Sequence, residues 1–482
     1  MCGIIGYSGP KEPLPILISG LSRLEYRGYD SAGVALIDGD NLSIEKKEGK
    51  LSVLKEHLEG TSIKGNIGIG HTRWATHGVP SDVNAHPHAD NANEFAIIHN
   101  GIIENYAELK DDLIQDDYSF ISETDTEVVA VELSRKWNGE LLDTVLDVAK
   151  SLDGTYALVV TSTKQPGTIV AGRMMSPLVL GVGEGEVFLA SDSAAILEYT
   201  NKMIFLENGD FVEINDGNFT LYDIEKNVIT RDIQVIDWEV SEAEKAGHDH
   251  FMYKEILEQA EVIERTIAGR IEKNSTEIPI HLDKAKKFEK IWIVACGTAY
   301  HAGLFGKDLF EKVLGVPVSV ELASEFRYRE PIIGKNDLAI VISQSGETMD
   351  TIAATELLKE NGSHVLALVN VVGSSLARMA DSVFYLHVGP EIGVASTKAY
   401  LGMLVGQLLL AKHWDSNNKL DTSLEEIKAL PSLIEEALKC EDQVKQIFRN
   451  KMSIINQIID YESSENKNIC DYSSDYSEYN QG

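Results

Sequence analysis

Residues 94–103 read EFAIIHNGII, an apolar run of Phe95, Ala96, Ile97 and Ile98 closed by His99-Asn100-Gly101. Aromatic and β-branched residues halted by an Asn-Gly signal are strand-and-turn chemistry. The same grammar recurs in GVALIDGDNLSIEK (33–46), NIGIGHTRWAT (66–76), TYALVVTS (155–162), GTIVAGR (167–173), GEVFLASD (185–192) and DFVEIND (210–216). Two helical stretches interrupt these strands, about 105–114 and 126–137, the second opened by Ser122-Glu123-Thr124-Asp125 as an N-cap region. Residues 2–240 therefore read as an antiparallel sheet protein with added helices, an α+β pattern. The glycine-rich GNIGIG (65–70) reads as a strand in close backbone contact with its neighbours, because no helix follows it as a phosphate loop would require.

Beyond residue 240 the pattern changes twice. Over 241–285 the chain is charged, and Met252, Ile256, Ile263 and Ile267 recur near helical period, which predicts an ordered helical linker. Over 286–415 apolar runs alternate with helices: IWIVACGTA (291–299), DLAIVISQSGET (337–348), HVLALVNVVGSS (364–375) and SVFYLHV (382–388), with helices from about Tyr300 and Met349. That alternation implies a parallel sheet with helices on both faces, an α/β unit. The last part, 416–482, holds a helical stretch (424–448) and then a polar Ser/Asp/Tyr-rich end without periodicity, expected to be disordered. No internal repeat is apparent.

The chain of 482 residues carries 43 Lys and Arg against 76 Asp and Glu, a formal charge of −33. Such a balance argues against nucleic acid or an anionic membrane as partner, since phosphates are repelled. A small anionic substrate stays open, because helix N-termini hold phosphate even in acidic proteins. Cys2, Cys296, Cys440 and Cys470 are far apart and form no metal or disulfide pattern, which points to a reducing compartment. No signal peptide and no apolar run long enough for a span is seen, so a cytoplasmic location is expected.

Two constellations carry chemistry. Removal of Met1 would leave Cys2 with a free α-amine, which titrates near about 7.7–8.0 and can take the thiol proton without a separate histidine. Cys2 is thus a candidate nucleophile, against the plainer alternative of a small buried residue. Ser343-Gln344-Ser345-Gly346-Glu347-Thr348 lies between an apolar strand and a helix, where hydroxyls, an amide and helix N–H groups can cradle a phosphate without metal or lysine. The plainer alternative is a helix N-cap. His86-Pro87-His88 has no further ligand at metal spacing, so neither metal nor cofactor is expected.

After MCGIIGY stand, in order, EYRGYDSAG (25–33), GHTRWATHG (70–78), NAHPH (84–88), HNGIIENY (99–106) and SETDTEV (122–128); CGTAYHAG (296–303), ELASEFR (321–327), SQSGET (343–348) and EIGVASTKA (391–399) follow. Together with HFMYKEI (250–256) they cover about 2–415 and strongly resemble the glutamine–fructose-6-phosphate aminotransferase family. The resemblance implies an N-terminal nucleophile (Ntn) hydrolase sandwich over 2–240, then a first sugar-phosphate isomerase (SIS) domain over 286–415. It implies glutamine and fructose 6-phosphate as substrates. Cys2 would be the nucleophile, with Asn100 and Gly101 as the oxyanion hole. Arg73, Thr76, His77, Asp125 and Arg27 would serve the glutamine site, and Trp74 would gate the ammonia passage. Thr298, Ser343, Gln344, Ser345, Thr348 and Val394 would contact the sugar phosphate.

The family's second SIS domain and its terminal tail are not recognisable after residue 415, so no residue is assigned to ring opening or to proton transfer between sugar carbons. An alternative is therefore a glutaminase with an attached sugar-phosphate-binding module, or an inactive binding remnant. The apolar SIS surface that a missing partner would leave uncovered leads us to expect a homodimer.

Overall fold

The computed structural model describes residues 2–25, 28–61, 63–74, 78–236, 247–271, 275, 276, 278, 280, 288–447 and 449. The first 235 residues build two antiparallel sheets. One has eight strands, in which Gly3–Ser8 lies between Val187–Ala190 and Ile67–Arg73, and Ile67–Arg73 pairs in turn with Ser31–Asp38. The other has seven, centred on Phe95–Ile103, Gly154–Ser162 and Thr168–Met174.

Side-chain alternation explains why these strands read as unbroken apolar runs. Successive residues of a strand point to opposite faces. Ile4, Ala35, Ile37 and Ile69 of the first sheet meet Ala96, Ile98, Ala157 and Val159 of the second in one core between the sheets. Their neighbours Ile5, Tyr7, Val34 and Leu36 face the helices Pro13–Leu24 and Leu51–Glu59 in a second core. Phe95, Ile97, Leu158 and Val160 face the helices Asp125–Arg135 and Leu141–Ala149 in a third. Both faces of each sheet are covered, giving four layers, helix–sheet–sheet–helix. In GNIGIG, a Cβ at Gly68 would lie 2.8 Å from Leu17 Cδ1, and one at Gly70 3.2 Å from Leu21 Cδ1. Those glycines let Pro13–Leu24 lie against the strand.

The expectation of two helices in this region is corrected. Tyr106–Gln115 and Asp125–Arg135 are present near the expected limits. Pro13–Leu24, Leu51–Glu59 and Leu141–Ala149 are additional. Two of these span only nine residues, too few turns for an apolar run to declare its period. The expected linker helix is broken. Phe251–Leu257 and Gln259–Ile267 share Glu258 at their junction, and the chain turns away at Gly269, whose φ is +70°.

Residues 291–385 form a five-stranded parallel sheet in the order 318–322, 291–295, 338–343, 364–369, 382–385. The first strand in sequence lies second in space, so the connection direction reverses between Ile291–Ala295 and Leu338–Ser343. Ligands bind at the carboxyl ends of strands flanking such a reversal. Helix Leu424–Leu438, which contains Pro431, belongs from Glu425 onward to a second unit. The polar end expected to be disordered, 462–482, lies outside the described residues. Among the described residues no helix is long and apolar enough to cross a membrane.

Candidate active site

Cys2 opens the central strand of the eight-stranded sheet, and Asn100 and Gly101 lie near the end of Phe95–Ile103 in the other sheet. The split between the two sheets at this end is a cavity of about 260 Å³. Cys2, Arg73, Trp74, Asn100, Gly101 and Asp125 line it, together with Ser176, Pro177 and Met349. Met349 belongs to the parallel-sheet region, where it begins the helix Met349–Glu360.

The Trp74 backbone N–H donates to Cys2 Sγ at 3.2 Å, and the Asn100 side-chain Nδ2 donates to the Cys2 carbonyl at 2.9 Å. Burial pushes the Cys2 thiol up, against the lowering influence of the Trp74 N–H and of the nearby positive charges. The sulfur is therefore protonated at neutral pH and needs a base to become a nucleophile. Gly101 has φ +136°, and a Cβ there would lie 1.9 Å from the Thr155 carbonyl oxygen. Only glycine fits.

Asn100 is aimed from behind. Its Oδ1 lies 2.9 Å from His71 Nε2, which also lies 3.1 Å from the His99 carbonyl. Both partners are acceptors, so Nε2 carries the proton of a neutral ring. Burial holds His71 neutral, lowering its pKa to about 3. His71 stacks on His86 at 4.3 Å between centroids, and His86 meets His88 edge-on at 4.7 Å. Burial depresses His86 and His88 well below the usual histidine range. Thr126 Oγ1 joins His86 Nε2 and His99 Nδ1, each at 2.9 Å, and Thr124 Oγ1 meets His88 Nε2 at 3.1 Å. The loop carrying these rings is held by Lys46, whose Nζ donates to the carbonyls of Val83, Ala85 and Pro87. Among the described residues no group of three His, Cys, Asp or Glu converges as a metal site.

Asp125 is the first residue of its helix, where the N-terminal dipole favours a carboxylate. It accepts from the Ile103 N–H at 2.9 Å. Arg73 is buried on strand Ile67–Arg73, and its Nη2 lies 3.4 Å from the Gly78 carbonyl. Burial opposes its charge, and the Asp125 carboxylate favours it. A buried guanidinium and a buried carboxylate in one cavity suit the two charged ends of an amino acid. Trp74 is 44% exposed and edge-on to Tyr29 at the cavity rim. Arg27, Thr76 and His77 lie outside the described residues.

The second group sits at the reversal point of the parallel sheet. Thr298 is in the first turn of Gly297–Leu314, after strand Ile291–Ala295, and Ser343–Thr348 follows the neighbouring strand. Ser343 Oγ lies 3.2 Å from Thr348 Oγ1 and accepts from the Gly346 N–H at 3.0 Å. Ser345 Oγ accepts from the Glu347 N–H at 3.1 Å. The Gln344 carbonyl accepts from the Asn370 N–H. Val394 is 74% exposed, on a segment held by Glu255, which accepts from the N–H groups of Ile392 and Gly393. Lys398 is buried and paired with Glu258 at 2.7 Å.

Sequence reasoning missed His71 as the group that orients Asn100, although GHTRWATHG contains it.

Two family descriptions match the chain: a glutamine amidotransferase domain over residues 40–234 and a SIS domain over 284–412. The glutamine–fructose-6-phosphate aminotransferase [isomerizing] of Caldanaerobacter subterraneus subsp. tengcongensis is 47% identical over 481 residues, 98% of this chain and 77% of that relative. That of Clostridium tetani is 45% identical over 476 residues, 96% of this chain and 78% of the relative. Among solved structures, the C-terminal domain of glucosamine-fructose-6-phosphate aminotransferase from Francisella tularensis matches at 37% identity with a TM-score of 0.40, covering 42% of this chain and 60% of that one.

Proposed function

The chain belongs to the glutamine–fructose-6-phosphate aminotransferase family, and from that premise we propose how its own residues carry the reaction of glutamine and fructose 6-phosphate to glutamate and glucosamine 6-phosphate. One observation carries the reading: the Cys2 thiol, Asn100, Gly101, Arg73 and Asp125 share one cavity whose wall is completed by Met349. Removal of Met1 gives Cys2 its own amine as base. The thiol gives its proton to that amine as sulfur attacks the glutamine side-chain carbon. The negative oxygen that develops is met by donors at Asn100 and Gly101, a stabilisation worth about 2.7–4 kcal/mol per donor. Collapse expels ammonia and leaves a thioester, which water hydrolyses to glutamate and free thiol.

Arg73 and Asp125 fix the α-carboxylate and α-amine of glutamine, with Thr76, His77 and Arg27 alongside. Trp74, at the rim, gates the path of ammonia towards the sugar. The phosphate of fructose 6-phosphate is held by Ser343, Gln344, Ser345 and Thr348, with Thr298 and Val394 against the sugar. The supporting geometry is the position of Thr298 and the Ser343–Thr348 loop at the carboxyl ends of the two strands flanking the topological reversal. The natural partners are these two small molecules, the working form is a homodimer in the cytoplasm, and neither nucleic acid nor membrane takes part.

The test is to measure glutamate and glucosamine 6-phosphate together. Cys2→Ala abolishes glutamate release while fructose 6-phosphate still binds; continued glutamate release would remove Cys2 from the reaction.

A further inference from the structure

Lys46 lies on the strand Asn41–Glu48, opposite Gly33 of the strand Ser31–Asp38. Its Nζ donates to the Ala85 carbonyl at 2.7 Å and to the Val83 and Pro87 carbonyls at 3.1 Å each. An ammonium has three protons to donate, and three acceptors of one loop converge on it. Burial lowers the Lys46 pKa to about 8, while the Glu127 and Asp82 carboxylates favour its charge and the Arg73 guanidinium opposes it, so the group is an ammonium at neutral pH. The loop also lies directly on the strands: a Cβ at Gly33 would meet the His86 carbonyl oxygen at 2.2 Å.

The loop reaches the glutamine site on two sides. Asn84 is buried, and its neighbours Val83 and Ala85 are two of the three residues held by Lys46. Asn84 Nδ2 donates to the Val79 carbonyl at 2.9 Å and lies 3.3 Å from Glu123 Oε2, and Asn84 Oδ1 accepts from the Glu123 N–H at 3.0 Å. On the first side, the carbonyl before Val79 is that of Gly78, which meets Arg73 Nη2 at 3.4 Å. On the second side, the chain runs from Glu123 through the Thr124 cap to Asp125. His86 adds a further tie beside Asp125, its Nε2 lying 2.9 Å from Thr126 Oγ1. Through this loop Lys46 stands behind both the guanidinium and the carboxylate that face the charged ends of the substrate.

We infer that Lys46 is a positioning residue for glutamine: by gathering the carbonyls of Val83, Ala85 and Pro87 it fixes the loop against Arg73 and the start of the Asp125 helix, and so sets affinity for the α-carboxylate and α-amine without changing the reactivity of Cys2. The inference rests on the functional reading above, which places glutamine in the Cys2 cavity. Bonds from an ammonium are charge-assisted, the stronger class of hydrogen bond. An apolar side chain at residue 46 leaves the three carbonyls without their donor, and the loop loses its seat.

The experiment uses the full-length chain and compares wild type with Lys46→Met, Lys46→Gln, Lys46→Arg, Asn84→Ala and the double variant Lys46→Met/Asn84→Ala. Glutamate release is titrated against glutamine with fructose 6-phosphate present throughout. Alkylation by iodoacetamide is followed in parallel on the Cys2 peptide. Iodoacetamide carries an amide and no charged ends, so it reads Cys2 without Arg73 or Asp125. Lys46→Met raises KM for glutamine about tenfold or more and keeps kcat within about threefold. Its Cys2 alkylation rate stays within about twofold of wild type. Asn84→Ala raises KM in the same way, and the double variant goes no further than the larger single effect. Lys46→Arg, which keeps charge and donors, recovers most of the affinity, and Lys46→Gln, which keeps an amide donor only, falls between it and Lys46→Met.

The inference is overturned if Lys46→Met keeps KM within about twofold of wild type. It is equally overturned if kcat falls at unchanged KM, the pattern of fewer folded molecules, or if Cys2 alkylation slows in step with glutamate release. KM losses that multiply in the double variant overturn it too, since Lys46 and Asn84 would then act separately. Unfolding midpoints are taken for every protein, and if Lys46→Met does not fold, Lys46→Gln and Asn84→Ala decide by the same criteria. A wild type that releases no glutamate although Cys2 alkylates removes the functional reading itself, and the inference with it.

Discussion

Asn100 shows how much of a site can depend on a residue that touches no substrate. Its amide could face either way. His71 settles the matter by presenting a protonated Nε2 to Oδ1, which turns Nδ2 towards Cys2. Replacing His71 with leucine is expected to lower kcat for glutamate release by about 10-fold or more, short of the roughly 10²–10³ for losing an oxyanion donor outright, with KM for glutamine little changed. A variant at wild-type kcat would show that Asn100 needs no such support. Gly101 has a steeper requirement, since any Cβ meets the Thr155 carbonyl. Gly101→Ala is expected to cut glutamate release at least about 10²-fold and to lower the unfolding midpoint, and a fully active, equally stable variant would refute the geometry. The sequence suggested that Asn100-Gly101 halts an apolar run, whereas the strand continues through both to Ile103, paired with Ala157 and Tyr156; the family resemblance alone marked them as a site. It could not show why glycine is needed, because the obstructing oxygen comes from a strand more than fifty residues away.

At the scale of elements, the helix Asp125–Arg135 brings its first residues, Asp125 and Thr126, to the cavity of Cys2. Thr124 caps it, accepting from the Glu127 N–H, and the Glu127 carboxylate takes the N–H groups of Ile121 and Ser122 at 2.9 and 2.7 Å. This capping arrangement was legible as Ser122–Asp125, and it fixes where Asp125 stands. Thr124→Ala should cost about 1 kcal/mol in urea unfolding and raise KM for glutamine, whereas Thr124→Ser restores both. An unchanged KM would separate the cap from the site. The helices that went unread fail for the opposite reason: Leu51–Glu59 and Leu141–Ala149 are short, and their apolar residues serve a sheet face as well as a helix face would. The parallel sheet was easier to read, since each of its apolar runs ends in a turn followed by a helix.

For the whole molecule, the buried histidine stack sets a limit on acid stability. His71, His86 and His88 are neutral in the folded protein, with His71 lowered to about 3 and the others well below the ordinary range. An unfolded chain protonates them near about 6.5. Between that pH and the folded values the unfolded state binds more protons, so stability falls as pH falls. Each ring contributes up to about 1.4 kcal/mol per pH unit across that window. Urea midpoints should therefore drop steadily from pH 7 to pH 5, and a flat profile would contradict the neutral assignment. The ion pair between the two architectures, Arg173 with Glu347, was not legible at all. Arg173 and Glu347 lie 174 residues apart, and neither stands in a pattern that suggests the other.

The cavity around Cys2 is lined in part by Met349, a residue of the other architecture. For a chemist designing a thiol-reactive mimic of glutamine, this separates two kinds of contact. Under the proposed reading, Arg73, Asp125, Asn100 and Gly101 meet the parts of glutamine itself, so a compound optimised against them gains potency from features common to its substrate. Met349, Ser176 and Pro177 line the same cavity away from those four residues' roles. A substituent grown beyond the reactive carbon towards Met349 is where selectivity for this protein would be found.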